Sequence, residues 1–309
     1  VLSPLITVFT PAFNRRHTLP RVFQALQEQT FTQFEWLVVD DGSTDGTKEA
    51  VLGWMGYSHF PLRYFYQENS GKHMAWNRAV LEASGKYFIV LDSDDSCVPE
   101  ALERFFNAWE KVETPKSYAA VIALCKTKNG LVHGSRFPKH LSDHLTMSLR
   151  YRMFGEKWEC WRTEVLRAFP FPSGIRGAFP ESYVMNRIAR QYQCVYINEA
   201  LRIYHEDEPS LTRLSDPSRN SQGQVMVHSD FLNHYLDKFF WNPFVFFLAA
   251  IKFVRHSFHL KNGPIHQWKS LRGNARFIWI FALIPGWFVF NREKIGRKNL
   301  SGSSGAFRT

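Results

Sequence analysis

The stretch Tyr87-Phe88-Ile89-Val90-Leu91-Asp92-Ser93-Asp94-Asp95 joins five apolar residues directly to three carboxylates. An apolar run of that length, closed by turn-forming polar residues, reads as a buried strand, and the acids then sit on the turn at its carboxyl end. Hard oxygen ligands so placed suit Mg2+ or Mn2+ shared with substrate phosphates, because such ions rarely occupy all-protein cages. A calcium loop is excluded. Counted from Asp92, position 12 is Glu103, but position 6 is Cys97, where the sharp turn requires glycine.

The same alternation extends outward on both sides. Upstream, Leu5-Ile6-Thr7-Val8-Phe9-Thr10 ends in Pro11, then Leu19, Val22, Phe23 and Leu26 recur at helical spacing, and a second apolar run over 34–39 closes in Asp40-Asp41-Gly42. The spacing predicts a helix over 47–55, a strand over 62–66 and a helix over 72–83. Downstream it predicts a strand over 119–125, an extended segment over 157–162, a helix from Pro180 to Tyr192 with proline at its start, and closing strands over 194–203. Residues 131–151 read as an irregular, substrate-facing insertion. Strands alternating with helices imply βαβ units and a mainly parallel sheet, in which polar residues after each strand converge on one crevice. Those residues are Phe13-Asn14-Arg15, Asp41-Gly42-Ser43, Asn69 to His73, and Asp92 to Asp95.

Two of these groups have plainer readings. Asp41, Ser43, Asp45 and Gly46 mimic a calcium loop, but position 12 is Leu52, and a turn with a helix N-cap accounts for residues 43–47. It leaves Asp40 and Asp41 side by side after a buried strand, where like charges need partners, and a carboxylate there can accept from a base N–H or from ribose hydroxyls. Gly71-Lys72-His73 lacks the phosphate-loop spacing, since residue 66 is Tyr and His follows the Lys. A basic residue opening a helix can still contact a diphosphate, and a plain helix start is the alternative.

In this order, Thr10-Pro11-Ala12-Phe13-Asn14-Arg15, Val38-Val39-Asp40-Asp41-Gly42-Ser43-Thr44-Asp45, Gly71-Lys72-His73 with Asn77, and Leu91-Asp92-Ser93-Asp94-Asp95 resemble the inverting GT-A glycosyltransferases of family 2, over roughly residues 5–204. The resemblance implies an α/β GT-A fold, Rossmann-like, with a mainly parallel sheet and helices on both faces. It implies that Pro11, Phe13 and Arg15 line a nucleotide-sugar pocket, that Asp41 reads the base, and that Lys72, His73 and Asn77 belong to the donor site. Asp92 and Asp94 match the family's D-x-D, with Asp92 and Ser93 near the ribose or donor sugar and Asp94, joined by Asp92, Asp95 and His205, as candidate ligands of Mn2+ or Mg2+. A solvated His205 beside Glu206, Asp207 and Glu208 is the alternative. The family's later acidic motif has Arg six residues after its Asp base, and here Glu181 precedes Arg187 by six. Glu181 thereby becomes the expected catalytic base, with Glu159 next. Pro180 stands where the motif's first acid would be, and Trp76 where the family often has Arg. The Q-x-x-R-W signature of processive synthases is missing, which favours addition of a single sugar.

The chain has 309 residues with 45% hydrophobic content, enough for a sizeable core and inconsistent with a disordered or collagenous chain. Its +10 formal charge is uneven. Twelve Lys/Arg and one acid fall between Lys238 and Thr309, whereas the first 237 residues carry −1. A tail of that kind suits nucleic acid, an anionic membrane or an anionic substrate. No nucleic-acid module pattern accompanies it. The apolar runs 244–251 and 277–290 fall short of a membrane span, and Pro285-Gly286 interrupts the second. With Trp and Phe between flanking Lys/Arg, they fit segments lying in the membrane interface, the alternative being buried helices. The expected organisation is a catalytic domain over 1–205 and a basic, helical, membrane-associating segment over 206–309. Cys97, Cys125, Cys160 and Cys194 form no C-x-x-C pair, and no signal-peptide pattern opens the chain at Val1, so a reducing compartment and no secretion are expected.

Together these readings give an enzyme on the cytoplasmic face of a membrane. It transfers one sugar, with UDP-sugars favoured, to a glycan acceptor that is lipid-linked, without nucleic-acid partners. A polyprenyl phosphate acceptor stays open. A sugar-nucleotide nucleotidyltransferase would carry a Gly-rich basic loop where this chain has Thr10-Pro11-Ala12-Phe13, and a catalytically dead adaptor would not need Asp92, Asp94 and Glu181.

Overall fold

A computed structural model describes residues 3–175, 177–205 and 218–303, with side chains through 295. The chain divides into two compact units, Val1–Gly174 with Val184–Arg213, and Ile175–Tyr183 with Leu214–Thr309. The sequence expectation was a single cut after residue 205. Segment 175–183 groups instead with the C-terminal unit, where the Ala178 N–H donates to Asn220 Oδ1 at 2.9 Å.

The first unit runs β1 (Ile6–Ala12), α1 (Leu19–Gln27), β2 (Phe34–Asp40), α2 (Thr47–Trp54), β3 (Leu62–Tyr66), α3 (Lys72–Glu82), β4 (Tyr87–Val90), β5 (Ser96–Cys97), α4 (Ala101–Glu110), β6 (Tyr118–Thr127), β7 (Leu141–Ser142), β8 (Lys157–Arg162) and α5 (Thr163–Ala168). A short helix α6 (Ser182–Ile188) then leads to β9 (Gln193–Tyr204). Helices α4 and α5 and the two-residue strands β5 and β7 are additions to the sequence expectation. Region 131–151 holds β7, an isolated bridge from Val132 to Lys126 and a π-helical turn at Thr146–Arg150.

The described strands form one sheet in the order β3-β2-β1-β4-β8-β6-β9-β5, with β7 pairing on β9. The expectation of a mainly parallel sheet holds for β3-β2-β1-β4 and for the β6–β9 pair, and fails at the other pairings. β8 runs antiparallel to both β4 and β6, and β5 and β7 run antiparallel to β9, so the sheet is mixed. Helices cover both faces because the strands alternate with period two. Ile6 and Val8 join the core with Leu19, Val22, Leu102 and Phe105, while Phe9 points the other way, edge-on to Trp76 of α3 at 6.5 Å.

The turn into β4 needs glycine for space. A Cβ on Gly85 would sit 2.4 Å from the Thr7 backbone nitrogen, in the same turn where the Gly85 N–H donates to Thr7 Oγ1 at 2.9 Å.

The second unit is helical. It contains α7 (Ser221–His234), α8 (Pro243–His259), α9 (Pro264–Ser270) and α10 (Ala275–Ser303). Phe231 of α7 stacks on Phe246 of α8 at 4.7 Å, and Phe258 of α8 meets Phe290 of α10 at 5.6 Å. Pro285-Gly286, expected to interrupt the second apolar run, lies inside continuous α10. The lost hydrogen bond of Pro285 is offset by packing: Gly286 carries no Cβ where one would lie 2.6 Å from Val254, so α8 and α10 approach closely. Among the described residues, no helix is long and apolar enough to cross a membrane.

Gly85→Ala is expected to lower unfolding free energy by roughly 1–3 kcal/mol through overpacking against Thr7. Gly53→Ala, in α2 with nothing within 4 Å of the new Cβ, should be neutral or stabilising by about 1 kcal/mol at most. Urea unfolding of both variants checks the pair.

Candidate active site

Strands β1, β2, β3 and β4 are parallel, so their carboxyl ends lie along one edge and the loops after them share a crevice. The first two loops are knitted together. Asn14 adopts φ 53°, a left-handed conformation that Asn tolerates. Its N–H donates to Ser43 Oγ at 2.8 Å and its Oδ1 accepts the Thr44 N–H at 2.8 Å. Asp40 closes β2 by accepting from the Ser43 N–H at 2.8 Å and the Tyr64 hydroxyl at 2.7 Å.

Asp41 is buried and acts as a clamp. Its Oδ1 accepts from Gln67 Nε2 at 2.7 Å and the Ser70 N–H at 2.8 Å, and its Oδ2 accepts from the Gly71 N–H at 2.8 Å. Asp41 thus fixes the loop that opens α3, while its own N–H donates to the Ala12 carbonyl at 2.8 Å. The carboxylate braces the start of α3, and the backbone N–H of the same residue continues the β1–β2 ladder to the crevice. Phe13, the next residue along β1's exit, is 41% exposed, Pro11 is half-buried, and Arg15 is buried.

The acidic turn after β4 is a charge network. Lys72 Nζ, at the start of α3, lies 2.7 Å from Asp92 Oδ1. Arg202, on β9, reaches Asp92 Oδ2 with Nη2 at 3.3 Å, and holds Asp95 Oδ2 with Nε at 2.7 Å and Nη2 at 2.6 Å. The His205 N–H completes Asp95 by donating to Oδ1 at 3.2 Å. Burial pushes the Asp92 carboxyl up, but the Lys72 and Arg202 cations outweigh it and hold it at about 2. Asp95 is almost wholly buried. Burial lifts its carboxyl to about 7, with Arg202 opposing and Asp92 and Asp94 adding to the lift. Arg202 itself loses by burial, yet the two carboxylates raise its pKa further above its ordinary value.

Asp94 differs from its neighbours. Its side chain is 28% exposed and meets Arg15 Nη2 at 3.8 Å, while its carbonyl accepts from Arg21 Nη1 at 2.6 Å.

The structure therefore sorts the residues expected from sequence. Arg15, Lys72, Asp92 and Asp94 come together, and buried Ser93 lies between the two acids. His73 is turned inward, its ring edge-on to Phe171 at 6.3 Å, so it packs beneath α3 rather than facing the crevice. Asn77 exchanges two bonds with the backbone of Phe171, at 2.8 and 2.9 Å, and anchors that segment. His205 Nε2 lies 2.9 Å from Ser96 Oγ. Glu181 is half-buried, directly ahead of α6 in the segment that belongs to the second unit.

The four expected metal ligands do not converge. Among the described residues, no three His, Cys, Asp or Glu side chains form a metal-holding group. Asp92 and Asp95 already have both oxygens engaged by cations or N–H donors. Asp94 remains as a hard, partly exposed carboxylate, which fits an ion that takes one protein ligand and completes its shell with diphosphate oxygens and water.

Arg202 was missed by sequence reading. No local signal marked it, since side chains alternate along a strand and Leu201 and Ile203 say nothing of the face Arg202 occupies; only the pairing of β5 with β9 brings it to the acids.

Residues 7–165 match the family model described as glycosyl transferase family 2. The chain belongs to that family. Relatives within it include the teichuronic acid biosynthesis glycosyltransferase TuaG of Bacillus subtilis, described as putative, at 34% identity over 33% of this chain and 40% of that one. The hyaluronan synthase of Pasteurella multocida is 30% identical over 70% of this chain and 22% of its own length. The chain thus spans less than half the length of these relatives. Solved structures share the fold. TarS of S. aureus residues 1–349, in complex with UDP-GlcNAc, gives a TM-score of 0.63 at 17% identity, covering 95% of this chain and 91% of that one. The mannosyltransferase PcManGT of Pyrobaculum calidifontis, in complex with GDP-Man and Mn2+, gives 0.57 at 19% identity over 94% and 88%. The architecture is the GT-A fold of family 2 glycosyltransferases.

Replacing Arg202 by Met leaves two carboxylates without their shared cation, and should destabilise the protein by about 3–5 kcal/mol. Lys72→Met removes a cation that is 44% exposed, and should cost about 1 kcal/mol or less. Denaturant unfolding of the two variants separates a structural pairing from a crevice-facing one.

Proposed function

We propose that this family 2 enzyme transfers one sugar from a nucleotide-diphosphate sugar to a hydroxyl of a glycan acceptor, with inversion at the anomeric carbon. The observation that carries the reading is the acidic turn after β4. Asp92 is matched by Lys72 and Arg202, while Asp94, facing Arg15, keeps a partly exposed carboxylate at the carboxyl edge of the parallel strands. An edge of that kind is where an α/β sheet takes a phosphorylated ligand.

A nucleotide-sugar already has a good leaving group, so the protein's work is positioning, charge stabilisation and activation of the acceptor. Phe13, Pro11 and the loop clamped by Asp41 form the nucleotide side of the pocket, and Arg15 and Lys72 supply cations for the diphosphate. Asp94 is the residue that would hold a divalent ion, which when bound would supply Lewis-acid stabilisation of the departing charge. Glu181 accepts the proton of the attacking hydroxyl, as its spacing to Arg187 suggests, and in-line attack inverts the sugar. TarS and PcManGT were solved with UDP-GlcNAc and GDP-Man, and UDP-sugars are the favoured donors here. The names of TuaG and the hyaluronan synthase favour polysaccharide synthesis. The proposed acceptor is a lipid-linked glycan met at the cytoplasmic face of a membrane, to which the basic C-terminal unit would bind.

Glu181→Gln should leave donor affinity nearly unchanged and reduce transfer by roughly 10²–10⁴-fold. Donor affinity by calorimetry and turnover by product release check this, and near-normal turnover would move the base elsewhere. A thermal-shift panel of UDP-, GDP- and dTDP-sugars, with and without Mn2+, is expected to show one metal-dependent stabilisation. Asp94→Asn should remove the metal dependence of that shift, and a shift retained in full would take the ion away from Asp94.

A further inference from the structure

Helix α10 presents bulky apolar side chains to solvent. Phe277, Ile280, Phe281, Ile284, Trp287 and Phe288 recur three and four residues apart, on one face, and are 48% to 77% exposed. The opposite face carries the small or buried residues Ala275, Trp279, Ala282 and Gly286, with Gly286 against α8 and Trp279 against Gln267 and Trp268 of α9. A surface helix of a water-soluble protein turns its polar face outward, whereas this one is apolar on both sides over four turns. A contiguous patch of that kind marks a surface that is covered in use. An open groove of ≈ 470 Å³, lined by Phe239, Phe247, Phe277, Ile278 and Phe281, continues it.

Charge indicates what covers the patch. Residues 218–303 hold twelve Lys/Arg against three acids, a formal +9. Each acid is matched within the unit, Asp230 by His234, Asp237 by Lys238, and Glu293 by Arg255 and His259. Lys269, Arg272, Arg276, Arg292 and Lys294 lie on α9, on α10 or in the turn between them. Among the described residues they pair with no carboxylate. Arg276 instead lies over the Trp268 ring at 5.0 Å.

We infer that the outward face of α10 is the docking surface for an anionic lipid leaflet. The helix lies in the plane of the interface, its six large side chains enter the acyl boundary, and the basic rim meets the headgroups. The inference rests on the membrane-surface reading proposed above and assigns that contact to one face. A second copy of the chain is the poorer occupant, because a two-fold contact through this face would set one basic rim against another.

The test uses the full chain and vesicles of phosphatidylcholine, alone or mixed with phosphatidylglycerol. Co-sedimentation should show binding to the anionic vesicles that weakens as salt rises. Phe281→Glu with Ile284→Glu should weaken that binding at least about tenfold, with the melting temperature unchanged. Lys269→Glu with Lys294→Glu should weaken it and flatten its salt dependence. Two results would each overturn the assignment while leaving membrane association intact: equal binding by the wild type and the Phe281/Ile284 variant, or a wild-type dimer that the variant dissociates without any change in vesicle binding. Absence of vesicle binding at every composition would overturn both the assignment and the membrane reading, while the sugar-transfer reading would be judged separately by donor binding.

Discussion

Three aspartates within four residues repel one another, and a turn carrying them at the edge of a sheet holds its shape only if cations are brought to it. Arg202 is the cation that arrives from farthest along the chain, and it brings two nitrogens to Asp95 Oδ2 while also touching Asp92. That geometry ties the acidic turn to β9. Strand β5 follows the turn immediately and pairs antiparallel with β9, Ser96 opposite Ile203 and Cys97 opposite Arg202, so the ladder itself sets the guanidinium beside the carboxylates. The ion pairs and the backbone pairing enforce each other.

This arrangement divides labour among chemically similar groups. Asp95 is buried and fully engaged, so it gives the turn its shape. Asp92 is held ionised by Lys72 and Arg202. Among the described residues, the Asp94 carboxylate meets Arg15 at the longer distance of 3.8 Å and stays partly exposed. Under the proposed function a donor diphosphate would bring negative charge toward Arg15 and Lys72, and each of those cations already faces one acid. The pairing keeps the site near neutral without a ligand, which limits the desolvation penalty of holding several charges in one crevice.

The fold was legible where the sequence pattern is local. The predicted strand at 62–66 matches β3, that at 157–162 matches β8, and the helix expected from 72 begins where α3 does, because burial and turn residues mark those boundaries in the chain itself. What was not legible depends on pairing. Strand direction beyond β4 is decided by which segments become neighbours, so β8 inserts antiparallel between β4 and β6 without any signature in its six residues. The site shows the same limit. Asp41, Lys72, Asp92 and Asp94 could be named from spacing, but that Asp41 clamps the start of α3, and that His73 and Asn77 serve Phe171, follows only from three-dimensional neighbours.

The uneven charge along the chain follows from two different physical demands. In the acidic turn of the first unit, Asp92 and Asp95 are matched by Lys72 and Arg202, because an excess of either sign is costly in a low-dielectric crevice. In the second unit no such constraint acts on exposed Lys and Arg, and their surplus is tolerated in water. Surplus charge alone would be unremarkable. Its coincidence with a helix whose bulky apolar side chains face outward is not, since neither feature helps the unit fold: the six large side chains of α10 gain nothing by exposure, and like charges along its rim repel. Both features lower the free energy only against a partner that is apolar in its depth and anionic at its surface, and a lipid leaflet has that profile.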